Sequence, residues 1–208
     1  MLAGPLTGAV RSDAARNREA LLTAAQDLVR HCGVADVTME DVAHRAGVGK
    51  GTVFRRFGSR QGLMAALLDL TEVQWQASVL AGPPPLGPGA PPYERLVAFA
   101  RSRLESGLAQ VALIEAAGVS GSLGLAARSF SAMHVRMLLA ALEVDGDLPV
   151  LTTALLAPLE MPVVRQQVSR DGFPLDRVVR GWVDLLDRVL RRDSGGLEPG
   201  HPVGGGRR

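Results

Sequence analysis

The chain has 208 residues, 47% hydrophobic and 21% charged, a balance that excludes wholesale disorder and allows a small domain fused to a larger one. Its net charge of +2 is too small for a general nucleic-acid coat, but it is uneven: residues 1–62 hold nine Arg and Lys against six Asp and Glu, residues 63–208 hold 14 against 15. A single cysteine, Cys32, excludes an intramolecular disulfide and a cysteine-rich zinc site.

Aromatic residues are only 4%, and Ala, Leu, Val and Arg dominate, so an all-α fold is expected. Residues 1–12 show no basic segment followed by an apolar core, and no uninterrupted apolar stretch approaches the ~18 residues of a membrane span. A soluble, cytoplasmic protein with no membrane partner is the expectation.

Residues 1–12 read as a flexible arm, because Gly, Ala and Pro occur there without periodicity. The first predicted helix, Asp13–Cys32, carries Leu21, Leu22, Ala25, Leu28, Val29 and Cys32 on one face and stops at Gly33. A buried, inert Cys32 thiol follows from that face. Thr38 caps a second helix, with Asp41 three residues on as in a capping box. That helix ends after two turns at Gly47-Val48-Gly49, and a third, Lys50–Phe57, follows at once. Ser59 caps a fourth helix, whose apolar face is Leu63, Ala66, Leu67 and Leu70.

Ala81–Pro92 holds six prolines in twelve residues and cannot be helical. Beyond it the pattern predicts helices over Tyr93–Ser106, Leu108–Ala117 and Leu123–Val144. A further helical stretch, Pro149–Arg170, is kinked or broken by Pro158 and Pro162. The last helix, Pro174–Arg192, has Leu175, Val178, Val179, Trp182, Leu186, Val189 and Leu190 along one stripe, and a Gly/Pro-rich flexible tail follows over 194–208.

The stretch Thr38–Phe57, TMEDVAHRAGVGKGTVFRRF, carries the functional signal. Two short helices joined by a tight glycine-containing turn, the second rich in basic residues, form a helix-turn-helix. Gly47 supplies the unusual backbone angle, and Ala43 and Ala46 permit close packing. Val53 and Phe57 turn inward, which leaves Lys50, Thr52, Phe54, Arg55 and Arg56 facing out. A short helix with almost no acid on its outer face suits the major groove of a polyanion.

Residues 14–70 resemble the DNA-binding domain of TetR-family regulators. The resemblance lies in the family pattern of threonine, small residues, Gly-Val turn and aromatic positions, here Thr38, Val42, Ala43, Ala46, Gly47, Val48, Gly49, Gly51, Thr52, Val53, Phe54, Phe57, Ser59 and Arg60. It implies a DNA-binding domain over 13–71 and a helical effector-binding and dimerisation domain over 72–193. By resemblance, Thr38 and Arg60 meet phosphates, while Lys50, Gly51, Thr52, Arg55 and Arg56 lie in or beside the groove. Arg45, on the second helix, either approaches the DNA backbone or is solvated. Three positions depart from the family pattern. Gly49 replaces a capping serine, Phe54 a tyrosine, and Arg56 a histidine or tyrosine. Since arginine is shaped for two hydrogen bonds to guanine, Arg55 or Arg56 is expected to read a G·C pair.

The implied partners are double-stranded DNA bearing a palindromic operator, a second copy of the chain, and a small, mainly apolar effector. The implied function is that of a repressor released from its operator by that effector. Phe99, Phe130, Met133, His134 and Met137 are candidates for an effector pocket; Val178, Trp182, Leu186 and Val189 are candidates for the dimer interface. No cofactor is expected, and isolated His31 and His44 give no metal site. Two alternatives stand beside this reading. The second domain can serve a protein partner or no ligand at all, which a body without a cavity of ~300 Å³ would favour. GVGKGT, residues 47–52, also resembles the end of a nucleotide-binding loop, but it lacks the preceding strand and has His44 where that loop needs glycine. No nucleophile–base arrangement is recognisable, so an enzyme is not expected.

Overall fold

The computed structural model describes residues 6–118 and 125–190, and among these every regular element is helical. Helix α1 spans Leu6–Cys32, α2 Met39–Arg45, α3 Lys50–Phe57 and α4 Arg60–Ala81. The helical backbone of α1 runs back through residues 6–12, where the sequence suggested a loose arm. Ala9, Val10 and Arg11 offer no helix break. The rest of the predicted arm, residues 1–5, and the predicted tail lie outside the described residues.

Leu21, Leu22 and Ala25 of α1 pack with Val42 and Ala43 of α2, Val53 of α3, and Leu63 and Leu67 of α4 to form the head's core. The last turn of α1 runs past that core, so Leu28 and Val29 are only half-buried and Cys32 is exposed. The expected buried thiol is therefore corrected: Cys32 Sγ faces outward and donates to Leu28 O at 3.1 Å.

Helix α4 continues out of the head. Four residues separate Leu63 from Leu67, and eight more lead to Trp75, which with Val79 belongs to a second, larger core. After the proline loop come α5 (Pro92–Ala109), α6 (Val111–Ala117) and α7 (Leu125–Ala141). The larger core centres on Leu96, Phe99 and Leu104 of α5, and on Val135, Leu138 and Leu139 of α7. Full burial of a side chain such as Phe99 contributes about 1.5–3 kcal/mol relative to exposure.

The stretch Leu148–Arg170 is long and apolar enough, by length and composition alone, to cross a membrane. Counting only unbroken apolar runs hides this. Here the stretch is broken near its two prolines: α8 (Leu148–Leu156) passes through a 3₁₀ turn, Ala157–Leu159, into α9 (Met161–Arg165) and a π turn at Gln166–Arg170. Proline lacks an N–H and crowds the preceding turn, which accounts for the break. The broken path turns Leu155, Leu159, Met161 and Val164 into the core. Met161 lies directly over Gly107 of α5, where a side chain on residue 107 would collide with its sulfur. Helix α10 (Leu175–Leu190) closes the body with Val179, Trp182 and Leu186.

Candidate functional site

Helix α2 begins as the spacing predicts. Thr38 Oγ1 accepts from the Asp41 backbone N–H at 3.1 Å and donates to Asp41 Oδ2 at 2.6 Å. The Thr38 backbone N–H also donates to that carboxylate, at 3.1 Å. The Thr38 hydroxyl bond, and then the backbone bond, hold the Asp41 carboxyl below the usual carboxylate range. Reciprocal capping of this kind satisfies donors that a helix start leaves open.

At the other end of α2, Gly47 adopts φ 68, and the Val48 N–H reaches back to Ala43 O at 3.0 Å. No atom would obstruct a side chain at Gly47, so the turn's demand is for the left-handed backbone and not for space. This turn delivers the chain into α3. The N-cap of α3 is Gly49, and no side chain caps it, consistent with the loss of the usual serine.

Only Val53 of α3 is fully buried, in the head core; Phe57 is half-buried against it. That anchoring sets the opposite face outward. Lys50, Gly51, Phe54, Arg55 and Arg56 are exposed and Thr52 half-exposed. Phe54, 40% exposed, lies under the Lys50 ammonium at 5.8 Å from ring centre to Nζ. Lys50 is also ion-paired to Glu40 of α2, while Arg55 Nη2 donates to Thr52 Oγ1 at 3.4 Å. The face thus presents three cations, a hydroxyl and an apolar ring on a helix with no acidic residue.

Arg60, expected at a phosphate, and Arg45, expected either at the DNA backbone or in solvent, both have partners within the head. Arg60, at the start of α4, donates through Nε to Val37 O at 2.9 Å and through Nη2 to Ala35 O at 3.2 Å and to Val34 O. These bonds engage the Arg60 side chain within the head. The guanidinium ties down the carbonyls of the α1–α2 loop, which no helix satisfies. Arg45 turns toward α1 and pairs with Asp27 at 3.8 Å.

Residues 21–67 match the family model described as "Bacterial regulatory proteins, tetR family". The head of the chain is thus similar to that of tetR-family regulators. An HTH-type transcriptional repressor of Mycobacterium tuberculosis is 44% identical over 50 residues, 24% of this chain and 27% of that protein. An HTH-type transcriptional regulator of Mycobacterium bovis matches to the same extent. The aligned stretch thus spans about a quarter of the length of these curated relatives. The likeness in fold extends much further. A TetR-family transcriptional regulator of Pectobacterium atrosepticum superposes with a TM-score of 0.60 at 21% identity, over 87% of this chain and 95% of that one. A TetR transcription regulator of Haloarcula marismortui gives 0.56 at 16% identity, over 84% and 98%. The tetR-family match leaves the nucleotide-binding-loop reading of GVGKGT without support: residues 47–52 form the turn and first residues of α3, with a helix ahead of them.

The body of the chain contains a cavity of about 400 Å³ between α5, α7 and the α8–α9 connection. Arg103, Arg128, Ser131, Ala132, Leu156 and Leu159 are among its walls. None of the five predicted pocket residues lines it. Phe99 and His134 are buried in the core, stacked with ring centres 5.3 Å apart, and Phe130 packs beside them at 6.1 Å from His134. Met133 and Met137 are exposed, at 56% and 48%, on the outer side of α7. Helical periodicity identified the α7 residues of one apolar group but not the direction of the cavity, which opens on Arg128, Ser131 and Ala132 instead. Burial holds the His134 pKa down to about 4, with the positive charge of Arg95 adding to the effect.

The dimer expectation also needs correction at two positions. Trp182 is 3% exposed and donates from Nε1 to Leu155 O at 2.8 Å, and Leu186 is fully buried. Both belong to the subunit's own core. The predicted stripe is wide enough to have two edges, and Val178, Gly181 and Leu185 form the outer one, beside Pro158, Gln167 and Phe173 around a groove of about 290 Å³.

Proposed function

We propose that this chain is a dimeric, sequence-specific DNA-binding transcription regulator, a repressor released from a palindromic operator by a small, mainly apolar molecule. The observation that carries the reading is the face of α3: Lys50, Thr52, Phe54, Arg55 and Arg56 turned outward on a helix without acids, seated by Val53 on a capped and glycine-turned partner helix. Cations on that face release counterions from the phosphate backbone, and an arginine in the groove distinguishes guanine by two hydrogen bonds. In this proposal Lys50, Gly51, Thr52, Arg55 and Arg56 enter or border the major groove, Thr38 meets a phosphate, and Gly49 lies beside the DNA at the start of α3. Lys50 exchanges Glu40 for phosphate on binding.

A palindrome requires the two copies of α3 to stand about one DNA turn apart, ~34–36 Å, and the outer edge of α10 is the face proposed for the dimer contact. Val178, Gly181 and Leu185 are the residues assigned to that contact, with Val189 at its end. The body cavity exceeds the ~300 Å³ at which small-molecule sites begin, which favours an effector over a body that only assembles. Release then requires that the effector bind more tightly when the heads are out of register with the operator.

The test is capture of genomic fragments by the purified protein at stated salt, followed by motif discovery. One palindromic motif supports the reading. Salt-sensitive binding without a motif would refute sequence-specific regulation.

A further inference from the structure

We infer that the body cavity is a site for a small apolar monocarboxylate, held at its carboxylate by Arg103 and Ser131. This rests on the effector reading above and names the chemistry of that effector.

At about 30 Å³ per heavy atom, the share of a water molecule in the liquid, a cavity of about 400 Å³ admits about a dozen heavy atoms. Ala132, Leu156, Ala157 and Leu159 give it hydrocarbon walls. Its polar groups are mainly donors. Arg103 is 8% exposed, and one of its five N–H groups, on Nη1, goes to Glu72 Oε2 at 2.6 Å. Ser131 is 2% exposed, and its hydroxyl has no hydrogen-bond partner. A buried hydroxyl is costly to leave unpaired, and an oxygen acceptor in the cavity would satisfy it.

The charges choose among acceptors. The carboxylate of the lining, Glu160, accepts through Oε1 from Arg128 Nε and Nη2 at 3.3 and 3.1 Å, so its charge is offset by a cation and Arg103 sets the balance toward an anion. A carboxylate offers one oxygen to Arg103 and one to Ser131, and its bonds to a guanidinium are roughly twice as strong as those of a neutral amide. A dianion such as a phosphate monoester would set two negative charges against an arginine already shared with Glu72.

The same arginine gives the site a connection to the head. The Arg103 guanidinium carbon lies 4.5 Å from the centre of the Trp75 ring, and both Trp75 and Glu72 belong to α4. The other Glu72 oxygen accepts from Gln76 Nε2 at 2.9 Å. A bound carboxylate competes with Glu72 for Arg103 and so changes what holds α4, the helix that carries Leu63 and Leu67 into the head core.

The experiment is calorimetric titration of the full chain, without DNA, with butyrate, octanoate and phenylacetate, each beside its primary amide and its amine. We expect at least one acid to bind with Kd below about 1 mM, its amide and amine at least about tenfold weaker, and Ser131→Ala to weaken that acid about tenfold. Arg103→Gln should abolish binding. Because that change also leaves Glu72 unpaired, Ser131→Ala, which touches no ion pair, carries the decision. No acid binding, equal binding of amide or amine, or an unchanged affinity in Ser131→Ala overturns the assignment. Repeating the titration on DNA-bound protein separates the two claims: an acid that binds without releasing DNA upholds the site and refutes the release mechanism.

Discussion

Leu113 and Ile114, consecutive residues of α6, are buried in different cores: Leu113 in the head's, Ile114 in the body's. Successive residues on an α-helix point about 100° apart, so one short helix can wedge between two packed units. Ala117, one turn on from Leu113, joins it in the head core beside α4. The head and body are thus joined by α4, which passes through both, and by α6, which is inserted between them.

Leu113→Ala should cost about 2–5 kcal/mol, as large-to-small core changes do. It should also loosen the head selectively. Hydrogen exchange is the measurement: peptides from α1 to α3 should lose protection while α5 and α7 keep theirs. Equal loss throughout would mean that α6 is not a separate link.

Arg56→Ala should weaken binding to the captured motif by about 1–3 kcal/mol and flatten preference at one G·C position, whereas Lys50→Ala should weaken all sequences alike and lower the salt slope by about 1. Titrations against the motif and single-base variants, at several salt concentrations, distinguish them. A uniform loss for Arg56→Ala would make it a phosphate contact.

Thr38→Ala removes the hydroxyl that both accepts from and donates to Asp41. A cost of about 1 kcal/mol is expected from the lost cap, visible as a lower Tm. The Asp41 carboxyl should at the same time titrate closer to the ordinary range, since the Thr38 hydroxyl is the first cause of its shift. An unchanged Asp41 titration by NMR would contradict the capping geometry.

His134 sets a pH dependence. Its folded-state pKa, about 4, lies below the ordinary 6.5, so between these values the unfolded chain binds more protons. Stability therefore falls as pH drops from about 6.5 to about 4, by at most about 1.4 kcal/mol per pH unit from this group. In His134→Gln that part of the slope should vanish. Denaturant midpoints across the window provide the check, and identical slopes in the two proteins would rule the assignment out.

Gly181 sits mid-helix and exposed, and a Cβ there would meet nothing within 4 Å. Glycine in that position costs about 1 kcal/mol relative to alanine, with no packing inside the subunit to offset it. A second helix crossing at this point would supply the reason. Gly181→Arg should then convert the proposed dimer to monomer in sedimentation while helical content stays unchanged. A dimer that persists would place the interface elsewhere.

The sequence by itself determined the helical class, the caps, and nearly the whole head, because these rest on short-range physics. Thr38 and Asp41 are three residues apart, Gly47 must take a left-handed angle whatever surrounds it, and Val53 and Phe57 lie one turn apart on α3. The break at Pro158 and Pro162 was legible for the same reason. Only the tertiary structure decided the rest. Arg60 lies more than twenty residues from the carbonyls it holds, and Arg103 is 31 residues from Glu72. Periodicity found the apolar stripes of α7 and α10 but could not say which edge meets the core, so Met133 and Met137 fell outside and Trp182 and Leu186 within. The direction a side chain faces along a wide stripe is set by the helices packed against it, and those come from distant parts of the chain.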